Sequence, residues 1–265
     1  MMKSSEKQRY FREKIGEKMK KEGFTRFDNI YIKIIPSQMI ISVFLQTYGH
    51  GQDVCYSFVP LAIEKANIKN RVKTEAESVQ TVIQRVLGNE TYSFEPSEEI
   101  KILDLNLEFL CSILEKPIFL STNVSDFLEY YYEYYCKLGI NRTSYALAES
   151  IAGAYLLNQD YCKAREPLIS MIEALDSSLV HGRQQLKKIP LNRREEDRYK
   201  EFMIRLNEQQ ERFLNLRNRH KKLIEMIDSH DYKKLDAITS ELVLRWDSEL
   251  ILKFPKFYNT RYRHE

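Results

Sequence analysis

A seven-residue apolar pattern in the last third of the chain is the feature that most constrains the fold. Its members alternate at steps of three and four residues: Tyr199, Phe202, Leu206, Gln209, Phe213, Leu216, His220, Leu223 and Ile227. We call this set the heptad seam. It predicts one long helix from about Asn192 to Asp228, with a length of about 55 Å at 1.5 Å per residue. A helix of that length needs a neighbour along its apolar side, from the same chain or from a second copy.

Two polar residues, Gln209 and His220, interrupt the heptad seam. A polar side chain on such a seam commonly fixes the register of the packed helices, at some cost in stability. We therefore interpret both residues as register-setting, in preference to a ligand-binding or switching role.

The motif Asp-Tyr-x-Lys occurs twice, beginning at Asp160 and at Asp231, each time between two apolar helical segments. We predict that each copy forms the turn of a helical hairpin. The small residues of positions 146–154, the Asp-Tyr turn and Ala164 resemble a tetratricopeptide repeat, and the two copies are separated by about two periods of that repeat. The resemblance implies pairs of antiparallel helices whose small side chains permit close approach.

The N-terminal part has a different pattern. Residues Phe11, Ile15 and Met19 predict a helix that ends at Gly23. Three strands are predicted over residues 29–35, 39–48 and 53–61, because β-branched and aromatic residues dominate them and Gly or Pro separates them. We expect a helix plus a three-stranded antiparallel sheet over residues 1–73, extending to about 95 at most.

The remainder, residues 74–265, is predicted as an α-helical domain, with one of its helices over residues 75–87. Only 8 glycines and 7 prolines in 265 residues favour long helices over loops. The predicted fold class is α+β, mainly α: a small helix-plus-antiparallel-meander module followed by a helical array with hairpins like those of tetratricopeptide repeats.

The first third also resembles a bacterial family known only as a domain of unknown function, type 4304. The resemblance rests on the segment "KKEGFTRFDNIYIK", with Gly23 and Phe24, and on "VFLQTY" with Gln46. It implies a small α/β module, in some cases linked to toxin and immunity loci, and no catalytic residues. This chain departs from that family by its long helical C-terminal part.

Sequence motifs of common enzymes are missing. There is no glycine-rich phosphate loop, no His-Glu-x-x-His and no CxxC pair, and the four cysteines are far apart. We therefore predict no catalytic residues, no metal and no cofactor. An enzyme of unrecognised type stays an alternative, because Asp and Glu are plentiful.

The first 24 residues are charged throughout, so we predict no secretory leader. No apolar run reaches eighteen residues, so we predict no membrane span and expect a cytoplasmic protein, of bacterial type by its resemblance.

A tyrosine-rich segment, "EYYYEYYC", lies in an acidic part of the chain. Residues 74–135 hold twelve acidic and three basic residues. Tyrosines are favoured at protein interfaces. The candidate partner-binding residues are Glu129, Tyr131, Tyr132, Glu133, Tyr134 and Tyr135. The alternative is that these tyrosines pack between helices of the same chain.

A basic segment coincides with the predicted long helix. Residues 183–222 hold thirteen basic and six acidic residues, and the basic-face candidates are Arg193, Arg194, Arg198, Arg212 and Arg219. Interleaved glutamates are typical of a solvated helix face, which argues against nucleic acid as a partner but leaves it as an alternative. We predict a non-catalytic protein-protein interaction module, such as an adaptor, regulator or immunity-type protein. A homodimer through the long helix is a further alternative.

Overall fold

A computed structural model of the chain describes residues 3–48, 51–63, 77–78, 99–114, 123–131, 145–185 and 193–255. The chain divides into two compact units, Met1–Gly139 with Glu241–Glu265, and Ile140–Ser240. The predicted fold class, α+β and mainly α, is confirmed. The division differs from the predicted boundary near residue 73, because later helices pack on the N-terminal sheet and belong to its unit.

The first unit contains an antiparallel sheet in strand order β1 to β5. Its strands are β1 Thr25–Phe27, β2 Ile30–Ile35, β3 Met39–Tyr48, β4 Gly51–Pro60 and β5 Glu77–Ser78. The three predicted strands are confirmed as β2, β3 and β4, and the sequence analysis missed the short β1 and β5. The helix predicted over residues 75–87 is wrong at β5, where Ser78 pairs with Cys55 on the edge of the sheet.

One face of the sheet is covered by three helices, α1 Ser4–Lys21, α2 Glu99–Leu114 and α3 Ser125–Tyr131. Helix α1 contributes the ring of Phe11, whose centroid lies 6.2 Å from that of Tyr31 on β2. Helix α2 lies beside α1, since the Tyr10 hydroxyl donates to Asp104 over 2.7 Å. The predicted end of α1 is confirmed at Gly23, whose φ of 82° is a conformation that glycine adopts easily.

The opposite face is covered by the last helix, α7 Tyr232–Lys253, from residue 241 onward. Trp246 and Leu250 are fully buried there, in a cluster with Ile30, Ile32 and other residues that alternate along the strands. The Trp246 indole Nε1 donates to the Ile63 carbonyl over 3.2 Å. A buried Trp with its N–H satisfied anchors α7 on the sheet.

The second unit contains α4 Tyr145–Leu157, α5 Tyr161–Gln185, α6 Arg193–Asp228 and the first turns of α7. The long helix predicted near residues 192–228 is confirmed as α6. Helices α4 and α5 pack through small buried side chains, among them Ala148, Ala152 and Ala164. The predicted hairpin of close helices is therefore present at α4 and α5.

The two Asp-Tyr-x-Lys motifs form turns of the same geometry, as predicted. Gln159 and His230, which precede the two motifs, have φ values of 58° and 60°. The amides of Asp160 and Asp231 each donate to the carbonyl five residues earlier, over 2.9 Å in both turns. The same hydrogen-bond pattern therefore ends one helix and begins the next at both positions.

The two turns also contact each other within this unit. The rings of Tyr161 and Tyr232 stack with centroids 5.0 Å apart, and the Tyr161 hydroxyl donates to Asp236. Burial, and then this carboxylate, raise the pKa of Tyr161. Arg165 donates twice to the Asp228 carboxylate, over 2.8 and 3.2 Å. The repeated motif thus builds a contact between the starts of α5 and α7.

Candidate functional site

The tyrosine-rich segment falls largely outside the described residues. Glu129 lies exposed on α3, and Tyr131 is the last residue of that helix. The side chain of Tyr131, and residues Tyr132, Glu133, Tyr134 and Tyr135, lie outside the described part. Their assignment as a partner-binding surface stays a prediction.

The heptad seam of α6 differs between its two ends. His220, Leu223 and Ile227 are buried and form what we call the closed half. Tyr199, Phe202, Leu206, Gln209 and Phe213 form the open half, where every side chain is at least partly exposed. Phe202 is 45% exposed. An apolar seam that reaches solvent over four helical turns is a candidate binding surface.

Helix α5 runs antiparallel to α6 and packs along one edge of the heptad seam. Arg217 donates twice to the Asp176 carboxylate, over 2.5 and 3.2 Å. Further along, a Cβ atom added at Gly182 would lie only 2.8 Å from the Gln210 side-chain nitrogen. The glycine therefore permits the close approach of the two helices beside the open half.

A groove of about 690 Å³ lies between the two helices at the open half. Its lining combines apolar and polar residues and consists of Ser177, Ser178, His181, Gly182, Phe202, Leu206, Gln209, Gln210 and Phe213. The Gln210 side-chain nitrogen is buried and has no hydrogen-bond partner among the described residues.

The two polar residues of the seam occupy different environments. His220 is buried in the closed half, and its Nε2 lies 3.0 Å from the Tyr145 hydroxyl of α4. Burial, and then Arg219, lower the pKa of His220 to about 4, so the imidazole is neutral near pH 7. This contact fits the register role predicted for His220. Gln209 is exposed and lines the groove.

Arginines recur every seven residues along the other edge of the seam, at Arg198, Arg205, Arg212 and Arg219. We call this row the arginine edge; it immediately precedes the seam residues Tyr199, Leu206, Phe213 and His220. Arg205 reaches Glu201 of its own helix over 3.8 Å. Arg198 and Arg212 have no ion-pair partner in the described part of the chain.

Three of these arginines were predicted as basic-face residues, whereas Arg205 and the seven-residue period were not. The other two basic-face candidates, Arg193 and Arg194, lie in the first turn of α6, and their side chains lie outside the described part. The signal that identifies the arginine edge is the heptad numbering itself, because each arginine occupies the same position relative to the seam.

Comparisons of the chain with models of known protein families, with characterised proteins and with solved structures gave no match. The resemblances to the domain of unknown function and to tetratricopeptide repeats stay predictions. Within the described ranges, no helix is long and apolar enough to cross a membrane. The same ranges contain no group of three or more side chains suited to hold a metal ion.

Proposed function

We propose that this protein is a non-catalytic module that binds another protein through the groove between α5 and α6. The observation that carries the proposal is the open half of the heptad seam, where Phe202, Leu206 and Phe213 line a groove and stay partly exposed. Burial of such a surface stabilises an association by about 25 cal/mol per Å² of apolar area, before the entropy of association is subtracted.

The composition of the groove supports protein recognition. Interface cores are enriched in aromatic side chains, and Phe202 and Phe213 supply two of them here. Exposed polar residues of the lining, such as Ser178 and His181, can give orientation to a bound chain. Protein interfaces usually combine apolar and polar side chains in this way.

Nucleic acid is the second candidate, favoured by the exposed arginine edge. Two carboxylates argue against nucleic-acid binding: Glu201 and Glu208 lie on the outer side of the same edge, one turn before Arg205 and Arg212. A phosphate backbone that tracked the arginines would also meet these carboxylates, which repel it. Protein binding is therefore the function we propose.

A pair of matched variants tests the proposal. Phe202→Glu changes the groove, whereas Ile204→Glu makes the same kind of change at a 60% exposed position outside the groove lining. Each tagged protein would be recovered from a lysate of its host after nuclease treatment. We expect one stoichiometric protein with the wild type and with Ile204→Glu, and its loss with Phe202→Glu. Equal capture by both variants, or capture of nucleic acid alone without nuclease, would contradict the proposal.

A further inference from the structure

We propose that the groove binds an amphipathic α-helix whose apolar stripe is flanked by Glu or Asp at seven-residue spacing. This inference rests on the proposed protein-binding function and adds the chemical class of the partner. Three features of the second unit support it: the length of the open half, the period of the arginine edge, and the charges that a second copy of α6 would present.

The open half has the length and form of a helix-binding surface. Tyr199 and Phe213 are fourteen residues apart, which is about 21 Å along the axis. A partner helix of about four turns spans that distance. Helices pack with their axes about 8–10 Å apart, and an apolar seam beside a second antiparallel helix offers two helical surfaces to a third.

In the closed half, another helix of the same chain already packs against this seam. At His220 the seam meets Tyr145, the first residue of α4, with ring centroids 6.1 Å apart. Beyond Leu216, toward the N-terminus of α6, the seam residues Phe213 and Gln209 line the groove and stay accessible. The partner helix therefore packs on the open half of the seam in the way that α4 packs on the seam at His220.

The arginine edge specifies acidic residues on the partner. Its arginines repeat at seven residues, about 10 Å along the axis. A second helix packed on the seam presents its own flanking positions at the same spacing. Carboxylates at those positions would meet Arg198, Arg205 and Arg212, and arginine can bind a carboxylate through two hydrogen bonds.

A second copy of α6 does not provide these carboxylates. In a parallel pair, Arg198, Arg205 and Arg212 would face Met203, Gln210 and Arg217 of the other copy, according to heptad numbering. In an antiparallel pair, arginine would face arginine. Neither arrangement gives an attractive pair, and each gives like-charge repulsion, so the charges disfavour the homodimer through α6.

Two probe peptides test the partner class directly on the full chain. Both have about 21 residues, three heptads, with leucine at the two apolar positions. The acidic probe has glutamate at the flanking positions, and the basic probe has lysine there. Fluorescence anisotropy at about 0.05 M and 0.5 M salt measures both affinities, since screening separates charge from apolar contact. We expect the acidic probe to bind at least about tenfold more tightly at low salt, which a few ion pairs can supply.

Charge reversal locates the contact. Arg205→Glu with Arg212→Glu should remove the preference for the acidic probe. The matched control is Lys200→Glu with Lys221→Glu, which makes the same change of charge at exposed positions of α6 away from the arginine edge. We expect this control to retain the preference. Circular dichroism would confirm that both double variants keep their helices.

Three results would overturn the partner class: equal affinity for both probes, no binding of either, or equal losses in the arginine and lysine variants. If Phe202→Glu still abolished capture of a cellular protein in such a case, the proposed function would stand and only the acidic helix would be wrong. Tight binding of a DNA duplex of about 20 base pairs, reduced by the arginine variant, would overturn both the proposed protein-binding function and the acidic helix as partner, and would indicate a nucleic-acid-binding protein.

Discussion

The two halves of the heptad seam on α6 follow the same sequence pattern and differ in what covers them. In the closed half, Leu223 and Ile227 are buried. In the open half, Phe202 is 45% exposed and lines a groove. A sequence period thus specifies which side of a helix is apolar, and the neighbouring helices decide whether that side forms a core or a binding surface. The closed half should contribute to stability and the open half to binding.

The largest expected difference is in stability. Leu223→Ala in the closed half should lower the free energy of unfolding by about 2–4 kcal/mol, because it leaves a cavity among buried side chains. Phe202→Ala in the open half should change it by less than about 1 kcal/mol, because the ring is half exposed. Urea unfolding followed by circular dichroism measures both. Equal losses would show that the open half is part of the core.

The second difference concerns the polar residues of the two halves. The pKa of His220 is lowered from 6.5 to about 4, so the unfolded chain binds a proton at this residue more readily. Stability should therefore fall as the pH drops from about 6.5 toward 4, by up to about 3 kcal/mol from this group.

Two variants isolate that effect. His220→Gln should remove this part of the acid sensitivity, whereas Gln209→Ala in the open half should leave the pH profile of the wild type. Unfolding curves between pH 4 and 7 give the comparison. A wild-type profile in His220→Gln would mean that other groups cause the acid sensitivity.

A smaller difference is expected between the two edges of α6. Arg217 forms a double hydrogen bond with Asp176 of α5, and its side chain is 27% exposed. Arg217→Ala should therefore cost about 1 kcal/mol of stability. Arg212→Ala should cost almost nothing, because Arg212 has no ion-pair partner in the described part of the chain. Thermal unfolding of the two variants tests this, and a larger loss for Arg212→Ala would assign the arginine edge to folding.

The smallest effect concerns the turn that follows the closed half. His230 and its counterpart Gln159 have positive φ values, which cost a residue with a side chain about 1 kcal/mol or more. Replacing either by glycine should stabilise the protein by about 0.5 kcal/mol, after the greater freedom of the unfolded chain is counted. Glu211→Gly, at an exposed position inside α6, should instead destabilise it by about 1 kcal/mol. Unequal effects at the two turns would show that their environments differ.

Local patterns predicted the elements of this fold well. The heptad seam gave the bounds of α6 to within one residue, and Asp-Tyr-x-Lys gave both turns. These features depend on residues three to seven apart, so the sequence carries them directly. The short strand β5 was missed because its two residues gain their conformation from pairing with β4, not from their own preference.

The arrangement of elements and the groove were less accessible from sequence. The packing of α7 on the sheet joins Trp246 to Ile63, which are far apart in the chain. Nothing local distinguishes Leu206 in the open half from Leu223 in the closed half, because both are leucines on one apolar stripe. The difference comes from tertiary contacts: α5 approaches Leu206 at Gly182, whereas the closed half also meets Tyr145 of α4 at His220.

Site-specific photocrosslinking in living host cells tests the central claim most directly. A benzophenone amino acid would replace Phe202 in the groove, and Ile204 in a matched control outside the groove lining. The account predicts a specific crosslink to one other protein from position 202 and none from position 204. A crosslink only to a second copy of the chain, or the same products from both positions, would contradict the assignment of the groove as the binding site.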